Sequence, residues 1–157
     1  MNADTIPVAH TPTGGYGDTM PPPVLGECAE PLSDDAIDMR GLWKVVGPEV
    51  ADGPEVPLGQ LQRIEQCGNR VVITSGGVIH DMRADGTLEN GVNDVMAADF
   101  TTEISVAASF EDGTHVLRPD GIPIEVTRHL EGDQLVWRYM GFSARLDRLG
   151  PPDTTPA

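Results

Sequence analysis

Basic side chains are scarce in this chain of 157 residues: Lys and Arg together number 10 against 25 Asp and Glu, for a formal charge of −15. A phosphate-rich partner would meet repulsion over most of such a surface, so neither nucleic acid nor an anionic membrane is an expected partner. The acidity itself serves solubility. Cysteine is nearly absent. Cys28 and Cys67 stand far apart and show neither the CxxC nor the Cys/His spacing of a zinc site, so they read as buried or idle thiols, and no metal is expected. Long apolar runs are missing too. Nothing approaches the roughly 18 residues a membrane helix needs, and the N-terminus has neither a basic region nor an apolar run before small residues. The expectation is a cytoplasmic protein with no membrane insertion; a homodimer is compatible with the sequence.

What is present divides into three parts. Residues 1–40 are acidic and rich in Pro and Gly, with Thr13-Gly14-Gly15-Tyr16-Gly17 and Pro21-Pro22-Pro23 as breakers, and are expected to form an extended, poorly ordered arm. Its glycines are no phosphate loop, because no strand precedes them and no Lys-Ser/Thr closes the pattern. The apolar weight of Val24 to Leu32 could pack it across a barrel end. Residues 41–149 form the folded domain, and 150–157, opening Gly150-Pro151-Pro152, a disordered tail.

Within the domain almost nothing has helical periodicity. Ten β-prone runs recur instead: Leu42 to Val46, Leu61 to Gln66, Arg70 to Thr74, Val78 to Met82, Val92 to Met96, Thr102 to Phe110, Thr114 to Arg118, Ile122 to Leu130, Gln134 to Met140 and Phe142 to Leu149. Gly68-Asn69, Asp85-Gly86, Asp112-Gly113, Asp120-Gly121 and Gly132-Asp133 between them favour tight hairpins, so neighbours in sequence become neighbours in the sheet. The expected fold is all-β, a single antiparallel up-and-down barrel of about 8–10 strands, whose closure removes exposed edges.

Alternation along each run assigns the interior face. Ile104, Val106, Ala108 and Phe110 point inward; Leu135, Trp137 and Tyr139 follow, then Phe142, Ala144 and Leu146, with Ser143, Arg145 and Asp147 outside. Arg128 shares the parity of Ile122, Ile124, Val126 and Leu130. His80 goes inward with Val78 and Met82, and His115 goes with Leu117 in one of two open phases. Asp94 is equally ambiguous. The candidate interior polar set is therefore His80, Asp94, His115, Arg128 and Tyr139, few polar groups among many apolar ones, which is the makeup of a ligand cavity. An interior guanidinium needs an anion, water or several carbonyls, unless it sits at the rim with its head in water.

Ile124 to Val136 and Gly141 to Arg148 resemble the last two hairpins of the fatty-acid-binding-protein branch of the calycin superfamily. Gly41-Leu42-Trp43-Lys44-Val45 resembles the Gly-x-Trp opening of lipocalin-like first strands, and the two together cover about a quarter of the chain. The resemblance implies that Arg128 and Arg145 hold a carboxylate. Two features depart from it. Asp147 stands where the family has a tyrosine and would repel a carboxylate; and Gly47 to Gly59, with Pro48, Pro54 and Pro57, has no room for the family's helical lid. Arg145, which parity places outside, is inside by the resemblance. Lidless bacterial barrels of the nitrobindin type bind haem, which would make His80, His115 or His129 an iron ligand, but their Gly-rich early motif is missing here and no cofactor is expected.

The expected function is binding of a small, largely apolar ligand, anionic or aromatic, with Arg128, Tyr139, Trp137, His115, Phe110 and Arg145 as ligand-binding residues. The alternative is a cofactor-independent isomerase, lyase or hydratase, with His80 as general base oriented by Asp94 and with Arg128 or Tyr139 stabilising negative charge. No Gly-x-Ser-x-Gly supports covalent acyl transfer. The sequence leaves open whether any reaction is catalysed.

Overall fold

The computed structural model describes residues 1–156. Its ten strands are β1 (Gly41–Pro48), β2 (Leu61–Cys67), β3 (Arg70–Ser75), β4 (Val78–Arg83), β5 (Val92–Val95), β6 (Glu103–Glu111), β7 (Thr114–Pro119), β8 (Val126–Glu131), β9 (Gln134–Tyr139) and β10 (Phe142–Gly150). Every pairing is antiparallel, in the order β4-β3-β2-β1-β10-β9-β8-β7-β6-β5. The sheet is an up-and-down meander that curls into a nearly closed barrel. Its end strands β4 and β5 pack side by side, and among the described residues no ladder joins them.

Turn chemistry sets the register. Asp112 and Gly113 both adopt positive φ, 49° and 79°, matching the right-handed twist of the β6–β7 hairpin. The run expected from Ile122 enters a ladder only at Val126, because Pro123 has no N–H to donate. At Gly41 a Cβ would stand 2.8 Å from Arg148 Nε and 3.0 Å from Trp43 Nε1, so the Gly-x-Trp pattern reflects a close approach between β1 and β10. The main core fills the barrel with the inward sets of β6, β9 and β10, joined by Ile64, Val71, Ile73 and Met82.

Three expectations are corrected here. Cys28 and Cys67 are not idle thiols: they are joined in a disulfide whose Cα atoms lie 6.0 Å apart, across a sequence separation of 39. Nor is the arm loose. Residues 1–40 hold no helix or strand, yet Ala3, Ile6 and Leu25 pack on Cys67, Val72 and Ile79 of the outer faces of β2, β3 and β4, forming a second small core. Buried polar groups pin it. Arg70 donates Nη1 to the Ala3 carbonyl at 3.1 Å and Nη2 to the Pro7 carbonyl at 2.8 Å, and its Nε reaches Asp81 Oδ1 at 2.8 Å. Glu65 accepts the Val24 and Leu25 amides at 3.0 and 2.8 Å. The tail expected to be disordered over 150–157 is tied back where Arg63 Nε donates to the Pro152 carbonyl at 2.8 Å; residue 157 lies outside the described residues.

Candidate functional site

Antiparallel register stacks one row of side chains across five strands: Phe110 on β6 faces His115 on β7, which faces Arg128 on β8, then Trp137 on β9 and Ala144 on β10. The row belongs to the interior face, and the open question of His115's phase is settled inward, with Phe110 and His115 at a ring separation of 5.2 Å. Above it lies a cavity of about 300 Å³. Ile104, Val106, Leu117 and Val126 form one apolar wall, and Ile73, Val78 and Met82 another. Gln60, Gln62, Ser75, His80, Arg128, Trp137 and Tyr139 supply its polar groups.

Arg128 is the group that most needs explaining. It is only 5% exposed, and among the described residues no carboxylate pairs with it. Its Nε and Nη2 both donate to Gln62 Oε1 at 3.3 Å, the guanidinium carbon stands 5.3 Å from the centroid of the Trp137 ring, and Nη1 has no partner. Burial pushes the guanidinium down to about 10 from an ordinary 12.5, against a smaller pull upward from Tyr139, so it stays charged at neutral pH. Gln62 is fully buried and donates onward to Gln60 Oε1 at 3.2 Å, which fixes its carbonyl toward the arginine.

Two neighbours in the row are also unsatisfied. Trp137 Nε1 lacks an acceptor, and His115, fully buried, has a partner for neither ring nitrogen. Burial, and then the adjacent Arg128 charge, push His115 down to about 3, so its imidazole is neutral and a poor base. The contrast with Arg70 is direct. Beneath the arm, beside a groove of about 460 Å³, Arg70 is equally buried, but Asp81 and arm carbonyls occupy its donors. Its charge is spent on structure, whereas that of Arg128 is not.

The remaining sequence-derived candidates are scattered. His80 lines the cavity, and its Nε2 lies 2.9 Å from the Val95 carbonyl, which can only accept; the ring therefore carries its proton there, with burial holding its pKa below the ordinary value. Asp94 does not hydrogen-bond to it. Its Oδ2 accepts the Thr11 amide at 3.0 Å and its Oδ1 the Val95 amide at 2.8 Å, over the outside of the β4–β5 seam. Burial would raise the Asp94 carboxyl, but these bonds outweigh it and the net shift is downward. Tyr139 and Trp137 stand on the cavity wall, while Phe110 lies behind it against His115. Arg145 faces outward, 3.3 Å from Glu131 Oε1, as parity rather than the resemblance required; Asp147 accepts from Gln134 Nε2 at 2.9 Å, so no second arginine joins Arg128 inside. His129 is likewise outside, 2.8 Å from Glu131 Oε2.

No protein-family model matches this sequence, and a search of curated proteins finds no match to it. The nearly closed antiparallel barrel is compatible with a calycin-like fold.

Sequence reasoning passed over Gln60 and Gln62, although Gln62 shares its parity with the buried Ile64. A glutamine in phase with a core isoleucine was the available signal.

Proposed function

We propose that the barrel binds a small, largely apolar ligand bearing one negative charge, with the charged end against Arg128 and the apolar body against the β6–β8 wall. The observation that carries this reading is the buried Arg128 guanidinium, charged at neutral pH, with Nη1 unpartnered, on a residue that lines an apolar cavity. A buried charge without a counter-charge costs several kcal/mol in general, and a bound anion offsets that cost while displacing nothing the fold needs. Mass spectrometry of a denatured extract of the purified protein, together with displacement of an apolar fluorescent probe by carboxylates, tests the reading. The expected outcome is a co-purified or displacing organic anion whose affinity falls at least tenfold in Arg128→Met. Absence of any such ligand and of probe binding would overturn it.

A second reading, acid–base catalysis at His80, is favoured by one feature. The imidazole lines the cavity in its neutral form with Nε2 committed to Val95, which leaves Nδ1 as the basic atom. A carbonyl then takes the orienting role expected of Asp94. Once a substrate is in hand, His80→Gln separates the readings: lost turnover with retained binding supports catalysis, and unchanged turnover rejects it.

The disulfide bears on location. A Cys28–Cys67 bridge fits an oxidising compartment better than the reducing cytoplasm expected from the sequence.

A further inference from the structure

We infer that the ligand is a compact aromatic monocarboxylate of one or two rings, held with one oxygen on Arg128 Nη1 and the other on the Trp137 indole N–H. This rests on the reading of the barrel as a site for an apolar anion and narrows it to a chemical class.

Three observations point the same way. The first is the pair of vacant donors. Arg128 and Trp137 are register partners on β8 and β9, so their side chains project from adjacent strands on one face, and each keeps a buried nitrogen with no acceptor. Two unsatisfied N–H donors on register partners provide for the two oxygens of a carboxylate. A phosphate monoester would bring a second negative charge, and among the described residues no second cation lines the cavity: His80 is neutral, His115 is neutral and not part of the lining, and Arg145 is outside.

The second is the wall beside those donors. Trp137, Tyr139 and Phe142 form a mutual cluster with centroids 5.1–5.6 Å apart, Trp137 and Phe142 meeting edge to face. Met82, Met96 and Met140 stand around the same space. Aromatic faces and thioethers favour a flat ring, which they contact through edge-to-face and sulfur–aromatic geometry, over a saturated chain.

The third is size. A cavity of about 300 Å³ is twice the roughly 150 Å³ apolar cavity that admits one benzene. One or two rings with a carboxylate fit within that volume.

The test uses the full disulfide-bonded chain and isothermal titration calorimetry with benzoate, 2-naphthoate, 2-naphthamide, decanoate and hexadecanoate. 2-Naphthoate is expected to bind at least tenfold more tightly than its neutral amide and than either fatty acid. Trp137→Phe keeps a ring and removes the N–H, so it should weaken 2-naphthoate about tenfold or more and leave 2-naphthamide nearly unchanged. Fatty acids binding as tightly as 2-naphthoate would overturn the aromatic class while leaving the apolar-anion reading intact. Equal affinity for acid and amide would overturn the carboxylate. Failure of all five to bind would overturn both. Because the ligand series is measured on the unmodified protein, the outcome does not depend on the variant folding.

Discussion

At the scale of single residues the barrel carries an energetic conflict. Arg128 contributes little to stability in the ligand-free fold: two long bonds to one glutamine oxygen and a ring face stand against the burial of a full charge. Arg128→Met should therefore raise the melting temperature by roughly 2–8 °C, corresponding to about 1–2 kcal/mol, while abolishing anion binding. Differential scanning calorimetry checks the sign, and a lower melting temperature would mean that the arginine is structural after all. Gln62→Leu should do the reverse, destabilising by about 1–3 kcal/mol because it strips the guanidinium of its last acceptor. In the double variant that cost should vanish, so the two changes couple strongly in a double-mutant cycle; additivity would show that Gln62 does not act through Arg128. Arg128 was legible in the sequence because it shared the parity of Ile122, Ile124, Val126 and Leu130, although Ile122 and Leu130 at the two ends of that run are exposed. The vacancy of its Nη1 was not, since that depends on which strand lies across the barrel.

At the scale of elements, the seam between β4 and β5 is where the arm acts. Thr11 Oγ1 accepts the Ile79 amide of edge strand β4 at 2.9 Å, while the Thr11 amide donates to Asp94 of edge strand β5 at 3.0 Å. Tyr16 adds a bond from its amide to the Gly77 carbonyl at 2.9 Å. One arm residue thus bridges the two edges that share no ladder, and on the inner side His80 does the same through Val95. Thr11→Ala should speed hydrogen exchange at the Ile79 amide at least tenfold and leave the amides of β9 and β10 unchanged. Equal loosening of both regions would show a global rather than a local effect. The disulfide ties the same arm to the end of β2. Closing a loop of 39 residues, its replacement by Ser at both positions should cost about 3–4 kcal/mol in denaturant titrations. The ten strands could be read from alternation and turn residues, which are local. The arm's docking could not, because Ala3, Ile6 and Leu25 follow no period and find their partners only through the barrel's outer face. The disulfide was hidden for the same reason: its two cysteines meet only once that docking has occurred.

At the scale of the whole molecule, the buried titratable groups make stability depend on pH in separable windows. His115 and His80 both have folded pKa values below the ordinary 6.5, His115 at about 3, with burial as the first cause in each. As pH falls through 6.5 the unfolded chain takes up protons that the native imidazoles refuse. Stability is therefore lost from about pH 6.5 downward, at about 1.4 kcal/mol per pH unit for each group still neutral in the fold. Glu65 opposes this. Burial raises its folded pKa above the ordinary 4.5, so the native state gains relative stability as pH falls from that raised value toward 4.5. The carboxylates whose pKa values are lowered, Asp94 among them, add their losses only as pH falls below the ordinary carboxylate range. The interval from pH 6.5 to 4.5 thus isolates the histidines against Glu65. His115→Leu removes an imidazole that pairs with nothing, so it should lessen the slope across that interval by about 1.4 kcal/mol per pH unit, with His80 still contributing, while leaving the loss below pH 4 in place. Urea titrations at half-unit steps measure both slopes. An unchanged slope between pH 6.5 and 4.5 would mean that His115 does find a proton partner in solution, and the vacant row beside Arg128 would then be a filled one.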